Sequence, residues 1–205
     1  MKVYNLPVGP LDENCIILSF DNQCVIFDPG DEAEKIESFI KKANLKPLSI
    51  LNTHGHFDHI GAVKHLQIAF DIPFYIHKSD EVFVTDTIQS QLFGTIYLEK
   101  PKIDGYLDDN MIFNFQDFTI KVLHTPGHTM GGVCFYIERE SILISGDTLF
   151  YQGIGRADLP GGNFDVLINS IKTKLLILPD STKVYPGHDR QTTVGFERKN
   201  NPYLN

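Results

Sequence analysis

Leu48-Ser49-Ile50-Leu51-Asn52-Thr53-His54-Gly55-His56-Phe57-Asp58-His59 is the stretch that decides the reading of this chain. Leu48–Leu51 is a short apolar run after Pro47 and reads as a buried strand. The histidine cluster follows it directly, and Ala62–Phe70 carries a helical pattern. Strand, polar loop and helix in that order are the unit of an α/β protein, whose sites gather in loops at strand ends. On extended backbone, residues two apart point to the same side, so His54 and His56 can hold one metal ion together. The chain then turns toward the helix, where adjacent Asp58 and His59 can project toward a second ion. Imidazole and carboxylate are donors suited to zinc, iron or manganese. Gly55 leaves room for the backbone between the two histidines.

Working toward the N-terminus, Cys15–Phe20 and Cys24–Phe27 are apolar runs separated by Asp21-Asn22-Gln23 and read as a hairpin. Asp28-Pro29-Gly30 ends the second strand. Asp31 is expected to cap a helix, with Glu34 as its capping-box partner. Ala33, Ile36, Phe39, Ile40 and Ala43 recur at helical spacing.

Toward the C-terminus, Phe74-Tyr75-Ile76 reads as a strand. Residues 81–110 read as a helix near the start and a long loop that lines a substrate entrance. Phe118–Leu123 is a strand ending at Thr125-Pro126-Gly127-His128. Val133–Ile137 and Ser141–Ser145 are strands joined by Glu138-Arg139-Glu140. Phe164, Leu167, Ile168, Ile171, Leu175 and Leu176 mark an amphipathic helix, and Lys183-Val184-Tyr185 a last strand ending at Pro186-Gly187-His188. Each Pro-Gly pair makes a tight turn that aims one imidazole from a rigid position. Asp147, at the end of an apolar strand, can bridge two metals with its two oxygens. A lone H-x-H is a weak signal. His54, His56, Asp58, His59, His128, Asp147 and His188 together are a strong one. His65, His77 and His124 are assigned structural or solvated roles.

The chain has 205 residues with 42% hydrophobic and 21% charged residues, the composition of a soluble globular protein. No apolar run approaches the roughly 18–20 residues that cross a bilayer, so no membrane partner is expected. Met1–Pro7 lacks the apolar core of a secretory signal, which makes the cytoplasm the expected compartment. Net charge is −8 with no basic block, so nucleic acid is not the expected partner. Two divalent cations would halve that charge, concentrating attraction for an acidic substrate at the site itself. Cys15, Cys24 and Cys134 form no C-x-x-C pair and read as buried reduced thiols.

The residues quoted above resemble the metallo-β-lactamase superfamily, whose signature is H-x-H-x-D-H followed by a distant His, Asp and His. Within it, the chain is similar to glyoxalase II and the short glyoxalase II-like bacterial hydrolases, from Asp28-Pro29-Gly30 to Asn201-Pro202-Tyr203-Leu204. The resemblance implies an α/β fold of the αββα type, two mixed sheets face to face with helices outside, in a single domain over residues 1–205. It implies that His54, His56 and His128 hold one divalent metal, that Asp58, His59 and His188 hold a second, and that Asp147 bridges them. Zinc is the first expectation, with iron and manganese as the other cations the ligands suit. Asp28 resembles a family aspartate beside the metals and either orients a ligand or serves only as a turn former.

In such a centre water is deprotonated near pH ~7, so a dinuclear-metal-bound hydroxide attacks a polarised carbonyl, and Asp58 is the catalytic group that orients it or takes its proton. The implied substrate is S-D-lactoylglutathione or a similar small thioester. Glyoxalase II proper carries a C-terminal helical domain for glutathione, which is not expected here. Where longer enzymes have a lysine and a tyrosine that contact glutathione, this chain has Arg156 and Asp158. Arg156 is the expected substrate contact, with pairing to Asp158 as its alternative. Arg190, Arg198 and Lys199 are further candidates for a carboxylate contact, with solvated surface as the first reading of each. The rival activity is that of a persulfide dioxygenase with a single iron, which also resembles this chain through Gly155-Arg156-Ala157-Asp158.

Overall fold

The structure, a computed structural model, describes residues 1–85, 100–115 and 118–204. The expectation for the middle of the 81–110 region falls on residues 86–99, outside the described residues. Two compact units are present, Met1–Tyr106 and Leu107–Asn205. Among the described residues no helix is long and apolar enough to cross a membrane.

The first unit is built on a six-stranded sheet in the order β1-β2-β3-β4-β5-β6. The strands are β1 (Lys2–Val8), β2 (Glu13–Phe20), β3 (Gln23–Phe27), β4 (Lys46–Leu51), β5 (Phe74–His77) and β6 (Gly105–Leu107). β1, β2 and β3 pair antiparallel, and the β2–β3 hairpin turns at Asp21-Asn22 between Phe20 and Gln23, as the sequence predicts. β3, β4 and β5 then run parallel. That direction needs crossover helices, supplied by α1 (Ala33–Lys42), the short α2 (Phe57–Ile60) and α3 (Val63–Phe70). Burial of Ile36 and Ile40 from α1, Val63 and Leu66 from α3, and Ile26 and Ile50 from the strands forms the core. Each such side chain contributes about 1.5–3 kcal/mol through burial. The consequence for function is geometric. The C-terminal ends of β3, β4 and β5 lie on one edge, so Asp28, the 52–59 loop and Asp80 leave the sheet together. Helix α4 (Glu81–Thr85) follows β5, which agrees with the helix expected near the start of 81–110.

The second unit holds a six-stranded sheet in the order β14-β13-β10-β9-β8-β7. Its strands are β7 (Ile112–Phe115), β8 (Phe118–His124), β9 (Val133–Ile137), β10 (Ile142–Gly146), β13 (Lys183–Pro186) and β14 (Thr192–Thr193), with a separate hairpin of β11 (Leu149–Phe150) and β12 (Gly153–Ile154). β9 is antiparallel to both β8 and β10, and β10 is parallel to β13. β8, β10 and β13 therefore point the same way, and the loops carrying His128, Asp147 and His188 emerge from one edge. Helix α5 (Phe164–Ser170) and the final helix α6 (Val194–Asn200) complete the unit. Its core includes Leu143, Leu149, Leu167, Ile171, Leu175 and Val184.

Three local expectations need correction. Asp31 does not cap α1: the cap position is Glu32, in the left-handed region at φ 48°, and no side chain caps the helix. The Asp31 carboxylate is taken by the Glu32 amide at 2.6 Å. Glu32 instead reaches back to the Gly9 amide at 3.2 Å. Pro47 lies inside β4 rather than before it, at a register irregularity opposite Cys24 and Val25 where a missing amide is tolerated. The helix read from Phe164 to Leu176 is α-helical only to Ser170 and widens into a π turn over Ile171–Leu175. All three cysteines are buried, and none is joined in a disulfide. Burial pushes the Cys24 thiol up to about 12 and raises Cys15 as well, so neither is a thiolate near neutrality.

Candidate metal centre

In the first unit, His54, His56 and His59 are buried in the loop and turn after β4. Asp28, at the end of β3, accepts the Thr53 amide at 2.7 Å and the Thr53 hydroxyl at 2.6 Å. Having given its only proton to Asp28, the hydroxyl can only accept from His54 Nδ1, 3.1 Å away. His54 is thereby held with its proton on Nδ1 and its lone pair on Nε2. That Nε2 faces His56 Nδ1 at 3.0 Å, the spacing of two donors that each sit about 2.0–2.1 Å from one cation. His59 Nδ1 lies 3.2 Å from Asp28 Oδ2, and its Nε2 lies 3.9 Å from Asp58 Oδ2. Asp28 thus touches one imidazole directly and a second through Thr53.

The backbone around these donors is tightly seated. A Cβ on Gly55 would meet the Asp80 carbonyl and Phe83 Cβ, both at 2.9 Å. The expectation that Gly55 makes room was sound, but the room is filled by the start of α4 and the turn before it. Asp80, fully buried, accepts the Gly55 amide at 3.0 Å, and Asn52 Nδ2 donates to the His59 carbonyl at 2.7 Å. Glu13, also buried, brings Oε1 to 3.7 Å from His59 Nδ1. None of Asp80, Asn52 and Glu13 was picked out from the sequence. Asp80 follows a parallel strand whose end lies on the functional edge, a signal that could have found it.

In the second unit, His128 Nδ1 lies 2.7 Å from the Arg156 carbonyl. A carbonyl only accepts, so the proton is on Nδ1 and Nε2 is the donor nitrogen. His128 Nε2 is 3.6 Å from Asp147 Oδ2, and His188 Nε2 is 3.8 Å from the same oxygen. One carboxylate oxygen between two imidazole nitrogens at these spacings fits a bridging ligand. The Pro-Gly turns do what the sequence predicts. The Gly127 carbonyl accepts the Asn163 amide at 2.7 Å, and a Cβ on Gly127, at φ 132°, would lie 2.3 Å from the Leu167 nitrogen. The Gly187 amide donates to the Gly146 carbonyl at 2.9 Å, tying the His188 turn to the one that carries Asp147.

The remaining expectations concern single residues. Arg156 makes a two-pronged pair with Asp158, at 3.0 and 2.9 Å, with both side chains about two-thirds exposed. His65 bonds to Glu37 at 2.6 Å, His77 accepts the Ser79 amide at 3.2 Å, and His124 meets the Met130 carbonyl at 3.1 Å. Among the described residues none of the three belongs to a group placed to hold a metal ion.

The family model for the metallo-β-lactamase superfamily matches residues 8–188. The chain belongs to that superfamily. It is 43% identical to the probable metallo-hydrolase YqgX of Bacillus subtilis, over all of this chain and 98% of that one. It is 36% identical to hydroxyacylglutathione hydrolase GloC of Haemophilus influenzae, over all of this chain and 99% of that one. Among solved structures, the BLEG-1 B3 metallo-β-lactamase superposes with TM-score 0.93 at 41% identity, covering 99% of both chains. TTHA1623 in a di-iron-bound form does so with TM-score 0.89 at 40% identity, covering 98% of this chain and 100% of that one. The metallo-β-lactamase fold expected from the sequence is therefore present, and the protein is a metal-dependent hydrolase of this superfamily.

Proposed function

We propose that this metallo-β-lactamase-fold hydrolase is a thioesterase of the glyoxalase II type, cleaving S-D-lactoylglutathione or a similar small thioester. Its centre is two divalent cations, one held by His54, His56 and His128, the other by Asp58, His59 and His188, with Asp147 bridging. The observation that carries the two-metal reading is the single Asp147 oxygen set between the Nε2 atoms of His128 and His188. When bound, the metal pair supplies Lewis acidity toward a carbonyl and an activated water at neutral pH. Zinc is the cation proposed, from donors that iron and manganese also suit.

The chain's own part is orientation and proton handling. Asp28, through Thr53, and the Arg156 carbonyl hold the tautomers of His54 and His128, so that each presents its Nε2. Asp58, on the first turn of α2, orients the attacking water and accepts its proton at a carboxylate oxygen. The thioester reading is supported by the relative named hydroxyacylglutathione hydrolase, GloC, which matches over all of this chain and 99% of its own length. The cytoplasm, where thiols stay reduced, is the compartment proposed, in keeping with three buried cysteines that form no disulfide.

Thiol release from S-D-lactoylglutathione by the metal-loaded protein, followed with and without oxygen, tests the activity. The expected result is oxygen-independent release. Silence with this substrate, together with nitrocefin hydrolysis or with oxygen uptake on glutathione persulfide, overturns the thioesterase reading in favour of a β-lactamase or a dioxygenase.

A further inference from the structure

The chain has four arginines, and the structure separates their roles. Arg139 is near Glu140, and Arg156 is engaged by Asp158. Arg198 pairs with Asp180 and donates to the Leu176 and Leu178 carbonyls. Arg190 is different. It is exposed, two residues beyond His188, and its guanidinium carbon sits 3.6 Å from the centre of the Tyr151 ring. Among the described residues no carboxylate or carbonyl takes its N–H groups.

The surface beneath it is built rather than incidental. The Tyr151 and Phe196 rings are stacked, with centroids 5.1 Å apart and planes 15° apart. Their two segments are joined by Glu197, which is fully buried. Glu197 accepts the Gln152 amide at 2.9 Å, the Thr192 hydroxyl at 2.5 Å and the Asn201 amide group at 2.9 Å. Phe150, next to Tyr151, places its ring 6.5 Å from that of His188. A guanidinium lying flat on an aromatic ring keeps its planar edge open for a two-pronged hydrogen bond to a carboxylate. In a chain of net charge −8, such a cation beside a metal ligand offsets the general repulsion of an anionic substrate.

We propose that Arg190, seated on Tyr151, is the specificity-determining contact for a carboxylate on the thiol portion of the substrate. The proposal rests on the thioesterase reading of the site. It assigns to Arg190 the part that the sequence suggested for Arg156.

The test compares wild type with Arg190→Met, both metal-loaded, on S-D-lactoylglutathione and on the uncharged thioester S-lactoyl-N-acetylcysteamine. The expected result is a KM for the glutathione thioester raised about tenfold, as befits loss of a charge-assisted pair, with kcat and the neutral thioester changed less than twofold. Arg190→Lys should recover only part of the loss, because an ammonium cannot both stack and fork, and Tyr151→Leu should raise the same KM by a smaller factor. Calorimetric binding of S-methylglutathione gives a readout independent of turnover, and its affinity should fall about tenfold in Arg190→Met. Equal KM and equal S-methylglutathione affinity in the two proteins, or no binding by wild type, overturns the role of Arg190 while leaving the thioesterase reading intact. Wild type that releases thiol from neither thioester overturns the thioesterase reading, and the calorimetric comparison then still decides whether Arg190 grips a carboxylate.

Discussion

Asp147→Ala is expected to lower turnover by about 10³-fold or more and to reduce bound metal from two ions per chain toward one. The magnitude follows from what is removed. Metal stabilisation of developing charge is worth several kcal/mol, and each 1.36 kcal/mol is a factor of ten in rate. The Asp147 carboxylate stands between His128 and His188, 3.6 and 3.8 Å from their Nε2 atoms. Without it, no carboxylate oxygen remains near both imidazoles to join the ion proposed at His128 to the ion proposed at His188. Asp147→Asn, which keeps the shape and one carbonyl oxygen but loses the charge, should retain more metal than the alanine variant. Elemental analysis and steady-state kinetics on the same preparations check both statements, with circular dichroism showing that the fold persists. Two ions per chain and undiminished turnover in Asp147→Ala would remove Asp147 from the centre.

Asp28 gives the second large effect, and here the two readings offered by the sequence part company. As a turn former at φ 46°, Asp28 could be replaced by asparagine at little cost, because asparagine tolerates the left-handed region. As the anchor of His54 and His59, it could not. Asp28→Asn should weaken metal binding about 10–100-fold, the usual cost of removing an outer partner of a ligating histidine. Asp28→Ala should also lower the stability of the metal-free protein by about 3–5 kcal/mol. It strands the buried Thr53 amide and hydroxyl and adds backbone strain. Denaturant unfolding without metal, and competition with a chromophoric chelator, measure the two separately. Metal affinity unchanged in Asp28→Asn would return Asp28 to the turn.

The pattern of legibility follows from distance along the chain. His54, His56, Asp58 and His59 declare themselves because ligand types crowd one strand end, and extended backbone fixes which of them share a side. The two Pro-Gly-His turns add rigid single imidazoles, and the apolar runs before them locate their strands. Supporting groups are silent by the same logic. Asp80 meets the Gly55 amide across 25 positions, and Glu197 meets the Gln152 amide across 45, so no local spacing reveals either contact. β11, β12 and β14 have two residues each, too few for a period to show. The misplaced cap on α1 has a backbone cause. Asp31 and Glu34 match the side-chain pattern of a capping box, but the left-handed turn at Glu32 gives the Asp31 carboxylate a nearer amide.

The most direct measurement is a metal titration. Protein stripped by exhaustive chelation is given back zinc in fractional equivalents, and thiol release and bound metal are read together. The donor sets described here predict loss of activity on stripping and recovery that rises to a plateau at two ions per chain. Undiminished activity in the stripped protein, or full activity with a plateau at one ion, would contradict the two-metal account.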